Sequence, residues 1–156
     1  MIDDNLIKQT LDSAKTIAMV GASTVKEGEV VAKTRLKPWI VVMKYLLEFG
    51  YKVIPVNPFA AGEVINGETV LKSLDSISEK IDIVDIFRPS KETPGFAKEA
   101  IKIGAKTLWL QYGIQNQEAK KISYEANINY IENKCIKQEY QKLFQKSNPV
   151  FPVLKS

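Results

Sequence analysis

The feature that most constrains the fold is an apolar run near the start of the chain that ends in a Gly-Ala-Ser turn. The run is Thr16–Val20, and Gly21, Ala22 and Ser23 follow it directly. A buried strand followed by a small, flexible turn is how nucleotide-binding α/β domains begin. Such a turn leaves backbone N–H groups unpaired and lets a phosphate approach them without an intervening side chain. A plain strand-to-loop turn fits the same residues, since the G-x-G-x-x-G spacing is absent.

Apolar runs alternate with amphipathic segments along the rest of the chain. Strands are predicted at 16–20, 52–56, 81–87, 107–110 and 129–131, and helices at 3–15, 38–49, 94–103, 115–127 and 136–144. This alternation favours a parallel sheet, because each crossover helix returns the chain to the same edge. We predict an α/β fold, a Rossmann-like three-layer sandwich with a five-stranded parallel sheet flanked by helices. A single domain is expected over residues 1–146, with an extended tail over 147–156.

Composition narrows the class of protein further. The chain has 156 residues, of which 45% are hydrophobic and 26% charged, and this is typical of one globular domain with a real core. It has no histidine and one cysteine, Cys135, so it has no Ser-His-Asp or Cys-His arrangement, and neither a zinc site nor an intrachain disulfide is predicted. The start lacks signal-peptide features, and no apolar stretch is long enough to span a bilayer. We expect a cytoplasmic protein.

The net charge of +4 permits a nucleic-acid partner, but the distribution of the lysines favours another interpretation. Lysines are interleaved with glutamates through the predicted helices, which is typical of a solvated helix surface. We expect a small-molecule nucleotide ligand, with neither nucleic acid nor membrane as a partner. Homo-oligomerisation is left open.

In an open parallel sheet, ligands bind beyond the carboxyl ends of the strands, so the residues there are the candidates. After the second strand the chain has Val56, Asn57 and Pro58, where NAD-binding domains place an acidic residue that holds the ribose 2′-hydroxyl. The missing carboxylate disfavours NAD and permits a ribose phosphate, as in NADP or coenzyme A. Two prolines that merely make the strand end rigid would explain the same residues.

The third strand end carries Phe87 and Arg88. A guanidinium can pair with a phosphate through two hydrogen bonds, but Arg88 could equally form a salt bridge with Asp85 or Glu92. The predicted strand places Asp85 and Phe87 on the same face.

The last two strand ends offer an amide, a flexible glycine and a thiol. Gln111 and Gly113 suit a long, mostly neutral ligand arm, although Gly113 could simply form a turn. Lys134 and Lys137 flank Cys135 and would favour its thiolate form, whereas a lone cysteine is usually a small, inert apolar residue.

Taken together, these loops resemble those of the small stand-alone coenzyme-A-binding proteins, a family related to the coenzyme-A domain of the succinyl-CoA synthetase α subunit. The resemblance runs over residues 16–144. It rests on IAMVGAS at 17–23, GYKVIPVNP at 50–58, IVDIFR at 83–88, GAKTLWLQYG at 104–113, and Cys135 with Glu139 and Tyr140. This chain departs from the family in a long loop at 24–36, in Trp39 where a small polar residue is usual, and in Asn-Lys-Cys-Ile at 133–136.

The resemblance implies coenzyme A or an acyl-CoA as the ligand and gives each candidate residue a role. The pyrophosphate would lie on Gly21, Ala22 and Ser23 and be neutralised by Arg88 and Lys37. The remaining candidates would flank the adenosine (Val56, Asn57, Pro58), border the adenine and phosphates (Phe87), line the pantetheine path (Gln111, Gly113) and lie near the thiol end (Cys135).

The absence of histidine and of an evident carboxylate pair favours binding without catalysis. Three alternatives stay open. Cys135 could form a mixed disulfide with coenzyme A in a redox role. The chain could be a protein-interaction scaffold with a vestigial nucleotide pocket, which the bulk of Trp39 favours. An NADP-dependent oxidoreductase domain is compatible with the Gly-Ala-Ser turn but lacks an obvious hydride-transfer partner.

Overall fold

A computed structural model describes residues 4–22 and 38–145. The described strands are β1 (Thr16–Val20), β2 (Lys52–Val56), β3 (Val64–Ile65), β4 (Glu68–Thr69), β5 (Ile83–Ile86), β6 (Thr107–Leu110) and β7 (Asn129–Ile131). The described helices are α1 (Asp4–Ser13), α2 (Pro38–Glu48), α3 (Thr93–Lys102), α4 (Gln117–Glu125) and α5 (Ile136–Tyr140). Short 3-10 turns lie at Leu74–Ser76 and Ser90–Glu92, and a π-helical turn at Gln141–Gln145 follows α5. Ser23, the loop at 24–36, Lys37 and the tail at 147–156 lie outside the described residues.

The main sheet has five parallel strands in the order β2-β1-β5-β6-β7. The predicted α/β Rossmann-like fold is therefore confirmed. From β1 the chain winds outward to β2, and from β5 it winds the opposite way to β6 and β7. The reversal lies between β1 and β5, and in such sheets this is the point at which ligands bind.

Helices cover both faces of this sheet, as predicted for a three-layer sandwich. On one face, Ile17, Met19 and Trp109 pack in a single cluster with residues of α1, α2 and α5. On the other face, Ala18 and Leu108 pack with residues of α3 and α4. Strand side chains alternate between the faces, and both faces are buried, as is usual for parallel sheets.

A small hairpin, β3–β4, is the element that the sequence analysis did not predict. Asn66 and Gly67 join its strands with φ angles of +50° and +82°, as in a type I′ turn. Each strand has only two residues, which is too short for alternation to show in the sequence. Several other predictions differ in extent. The third strand of the main sheet in chain order is Ile83–Ile86 rather than 81–87, and the helices predicted at 3–15 and 115–127 are shorter, at Asp4–Ser13 and Gln117–Glu125. Helix α5 becomes a π-helical turn after Tyr140.

No helix in the two described ranges is both long enough and apolar enough to cross a bilayer.

Candidate functional site

A cavity of about 1180 Å³ opens at the carboxyl ends of the parallel strands. Its described wall consists of Gly21, Pro38, Trp39, Asn57, Phe59, Phe87, Arg88, Pro89, Gln111, Tyr112, Ile114, Cys135 and Gln138. Residues that follow each strand of the main sheet contribute to this wall. The cavity therefore lies where the winding of the sheet predicts a ligand.

Half of the predicted site residues line this cavity, namely Gly21, Asn57, Phe87, Arg88, Gln111 and Cys135. The described wall does not include Ala22 and Val56, which are buried, or Pro58 and Gly113, which are exposed. Ser23 and Lys37 were also predicted, and they lie outside the described residues. The structure thus brings together one or more predicted residues from each of the five strand ends.

Gly21 occupies a position that admits no side chain. Its φ angle is +108°, and a Cβ built there would lie 2.8 Å from the carbonyl oxygen of Phe87 and 3.2 Å from Cδ of Arg88. The Gly21 N–H donates to the carbonyl oxygen of Val56 at 2.8 Å. The expectation that this N–H is unpaired is therefore wrong, because the β1–β2 hydrogen bonds continue one residue past the strand. The missing side chain at Gly21 lets a ligand in the cavity come close to the backbone, but the Gly21 N–H is not a free hydrogen-bond donor.

Arg88 pairs with Glu92 and not with Asp85, which decides between the two partners proposed from the sequence. Its Nε donates to Glu92 Oε1 at 3.0 Å, and its Nη2 donates to Glu92 Oε2 at 2.8 Å. The hydrogen bonds from Arg88 lower the pKa of the Glu92 carboxyl, so the pair is ionised at neutral pH. Arg88 is the one charged residue on the described part of the cavity wall.

Asp85 lies on the same sheet face as Phe87, two residues earlier in the chain. In register it is flanked by Met19 and Trp109, and it is fully buried. Neither carboxylate oxygen has a hydrogen-bond partner among the described residues. Burial raises the pKa of this carboxyl well above its usual value, because the charged form would lose its hydration. Burial therefore favours the neutral form of the Asp85 carboxyl.

Gln111 is held by one end of its amide, which leaves the other end for a ligand. Its Oε1 accepts from the backbone N–H of Ile136 at 3.2 Å. Because only the amide oxygen can accept, this bond fixes the amide orientation. The Nε2 group therefore remains as a donor at a residue that lines the cavity.

Cys135 is half-buried on the cavity wall, directly before α5. Its surroundings are held by Trp109, whose Nε1 donates to the carbonyl oxygen of Lys134 at 2.8 Å. The ammonium of Lys137 lies 5.1 Å from the ring centroid of Tyr45, so an aromatic ring already engages this charge.

The predicted site residues did not include several residues of the wall, namely Pro38, Trp39, Phe59, Pro89, Tyr112, Ile114 and Gln138. Phe59 and Tyr112 are the most exposed of these, at 75% and 76%. The Asn-Pro-Phe string could have indicated Phe59, since Asn57 Oδ1 accepts from the Phe59 N–H at 3.0 Å and forms an Asx turn. Trp39, whose bulk favoured a vestigial pocket in the sequence analysis, is buried on the wall beside an open cavity.

A protein-family model and several known proteins match this chain over most of its length. The model of a family described as a CoA binding domain matches residues 15–141. The uncharacterized protein YneT of Bacillus subtilis is 35% identical over 131 residues, which is 84% of this chain and 89% of YneT. A solved structure from Thermus thermophilus is 35% identical with a TM-score of 0.80, covering 92% of this chain and all of that one. A hypothetical protein from Pyrococcus horikoshii is 39% identical with a TM-score of 0.78, covering 91% and 92% of the two chains.

Proposed function

Because this chain belongs to the CoA binding domain family, we propose that its cavity binds coenzyme A or an acyl-CoA without catalysis of its own. The observation that carries the proposal is the position of Arg88. This residue provides the one charge of the described wall, at the point where the winding of the sheet reverses. A phosphate-bearing ligand would meet its counter-charge there.

The shape of the site supports an elongated ligand. Adjacent strands in a sheet lie about 4.8 Å apart, so the four steps from the end of β2 to the end of β7 span about 19 Å. Asn57 lies at one end of this row and Cys135 at the other, with Arg88 near the middle. A nucleotide with a long neutral arm fits that order, with its base beside β2 and its thiol beside α5.

Side-chain chemistry along the row supports the same placement. The exposed ring of Phe59 can stack on a base, and the Nε2 group of Gln111 can donate to an amide carbonyl of the pantetheine arm. Gly21 and Arg88 meet at the reversal point, where the diphosphate would lie. All four of these residues line the cavity.

Calorimetric titration of the ligand-free protein with coenzyme A tests the proposal, with NADP as the comparison ligand. We expect saturable binding of coenzyme A and no heat from NADP. Loss of a hydrogen-bonded cation costs about 1.5–3 kcal/mol, so Arg88→Ala should weaken coenzyme A about 10- to 100-fold. The exposed neighbour Lys91 provides the control, because Lys91→Ala removes the same charge away from the described wall.

The ligand series also assigns the phosphate that Arg88 contacts. A greater loss for coenzyme A than for dephospho-CoA places Arg88 on the ribose 3′-phosphate, and an equal loss places it on the diphosphate. Wild-type protein that binds no coenzyme A would overturn the proposal. The result would favour the alternative of a protein-interaction scaffold with a vestigial nucleotide pocket.

A second candidate function follows from Cys135, whose half-buried side chain lines the same cavity. The Cys135 thiolate would attack a sulfur of coenzyme A disulfide, forming a Cys–S–S–CoA bond while the other coenzyme A leaves as a thiolate and takes up a proton. Intact mass spectrometry after treatment with coenzyme A disulfide tests this step. An adduct that disappears in Cys135→Ser supports it. Wild-type protein that forms no adduct contradicts it, as does an adduct that persists in that variant.

A further inference from the structure

The side chain of Arg88 passes beside Gly21 and is held at its guanidinium end by Glu92. A Cβ built on Gly21 would lie 3.2 Å from the Arg88 Cδ, so the arginine side chain passes close to the Gly21 backbone. Its guanidinium is held by both carboxylate oxygens of Glu92. A long arginine side chain usually loses rotamer freedom when a ligand binds, and this arginine has lost much of it beforehand.

The edge of the guanidinium that Glu92 occupies determines which edge is left. Glu92 takes one N–H from Nε and one from Nη2 of Arg88. A guanidinium has five N–H donors in a planar fork. The remaining donors include one N–H on each of Nη1 and Nη2, which point in parallel from the end of the side chain. A pair of this kind matches two oxygens of a phosphate.

The turn that carries Glu92 is itself fixed. Residues Ser90–Glu92 form a 3-10 turn, in which the Glu92 N–H donates to the carbonyl oxygen of Pro89 at 2.9 Å. The Ser90 carbonyl oxygen accepts from Thr93 Oγ1 at 2.7 Å and from Asn116 Nδ2 at 3.0 Å. The Glu92 carboxylate therefore extends from a backbone that two other elements hold in place.

Glu92 is not part of the described cavity wall, although Arg88 and Pro89 are. We propose that Glu92 is a positioning residue, which holds the Nε edge of Arg88 so that the Nη1–Nη2 edge faces a phosphate of the bound nucleotide. This inference rests on the proposed function, and it assigns the carboxylate a role that favours anion binding although its own charge is negative.

Titration calorimetry with coenzyme A and with pantetheine, which has no phosphate, tests the role of Glu92. In Glu92→Gln the guanidinium must be ordered by the ligand, so we expect coenzyme A to bind about 3- to 10-fold more weakly while pantetheine affinity is unchanged. In an Arg88→Lys background the same Glu92→Gln change should have no further effect. The matched control is Glu125→Gln, which removes one exposed carboxylate from the last residue of α4.

The outcomes separate this inference from the function on which it rests. Wild-type protein that binds no coenzyme A overturns both. If the wild type binds and Glu92→Gln binds equally tightly, the carboxylate has no effect on binding and the positioning role alone is overturned. Tighter binding by Glu92→Gln also overturns it, because the carboxylate would then compete with the phosphate. A loss shared equally by coenzyme A and pantetheine also overturns it, since a merely structural role would produce that result.

Discussion

The two ends of the parallel sheet treat their polar groups differently. At the amino ends, Asp82 Oδ2 accepts from the backbone N–H groups of Lys15 at 2.8 Å and Thr16 at 3.1 Å, and Asp82 Oδ1 lies 3.9 Å from Nζ of Lys106. The cavity there holds about 160 Å³. At the carboxyl ends, Arg88 and Gln111 each use part of their hydrogen-bonding capacity, and the cavity is about 1180 Å³.

Polar groups at the amino ends of this sheet therefore serve mainly stability, whereas those at the carboxyl ends are suited to binding. A polar group whose bonds are all made inside the protein contributes to the folded state and has little to offer a ligand. A group that is held at one edge and open at the other is oriented in advance and still has donors to give. Asp82 and Arg88 flank the same strand, β5, and show the two cases.

Asp85 lies between the two ends and fits neither pattern, so its removal should have the largest effect. Its folded-state pKa is raised above the ordinary value of 3.8, so its contribution is fully present below pH 3.8 and is lost as the pH rises through the folded pKa. Relative to Asp85→Asn, the wild type should lose about 1.4 kcal/mol of unfolding free energy for each pH unit between the unfolded and the folded pKa of Asp85. Urea unfolding at a series of pH values measures this difference.

The exposed Asp75 supplies the control for that series, because Asp75→Asn makes the same substitution at a carboxylate outside the core. A wild-type minus Asp85→Asn difference that stays constant with pH would mean that Asp85 is ionised in the folded protein.

Gly21→Ala should have the next largest effect, since it adds a methyl group where the chain is tightly packed, at the carboxyl ends of the sheet strands. We expect a loss of about 3 kcal/mol of unfolding free energy, from the left-handed backbone and from overlap with the Phe87 carbonyl oxygen. Gly104→Ala is the matched control, because its φ is +76° but nothing lies within 4 Å of the added Cβ. The control should lose about 1 kcal/mol. Equal losses in thermal or urea unfolding would show that the close approach at Gly21 is relaxed.

At the amino end, Asp82→Ala should lower stability and leave binding alone. Two backbone N–H groups lose their acceptor, which should cost about 1–2 kcal/mol of unfolding free energy. Chemical denaturation measures that cost, and calorimetry with coenzyme A should give the wild-type affinity. A weaker affinity in this variant would show that the two ends of the sheet are energetically coupled.

Gln111→Met should give the smallest effect in this series, and it should lower both binding and stability. The variant loses the Nε2 donor and leaves the Ile136 N–H without its acceptor. We expect coenzyme A to bind about 5-fold more weakly, which corresponds to about 1 kcal/mol. Gln117→Met, on the exposed first turn of α4, is the control for the substitution itself. Unchanged affinity in Gln111→Met would remove this amide from the ligand path.

The sequence predicted most of the scaffold, because the apolar runs are strong and well bounded. Thr16–Val20, Lys52–Val56, Thr107–Leu110 and Asn129–Ile131 are strands over the predicted residues. The hairpin at 64–69 was not predicted, since two residues per strand show no period. Pro38 marked the start of α2 because its fixed φ suits the first turn of a helix.

The site was predicted less fully, because strand ends identify an edge of the sheet but not the side chains that reach across it. Gly21, Phe87 and Gln111 follow their strands directly and were found. Trp39 and Gln138 lie on helices, and their place on the wall depends on how α2 and α5 pack on the sheet. The choice of Glu92 over Asp85 as the partner of Arg88 likewise depended on strand alternation, which turns Asp85 into the core.

The cavity wall draws on every strand of the main sheet, and this has a consequence for the newly made protein. Chains emerge from the ribosome amino end first, and a domain folds as a unit. The stretch from Gly21 to Arg88 would be available early, but Cys135 and Gln138 come after the last strand of the sheet. On the proposed function, an unfinished chain cannot hold coenzyme A along its full length, so occupancy of the cavity would distinguish completed molecules from nascent ones.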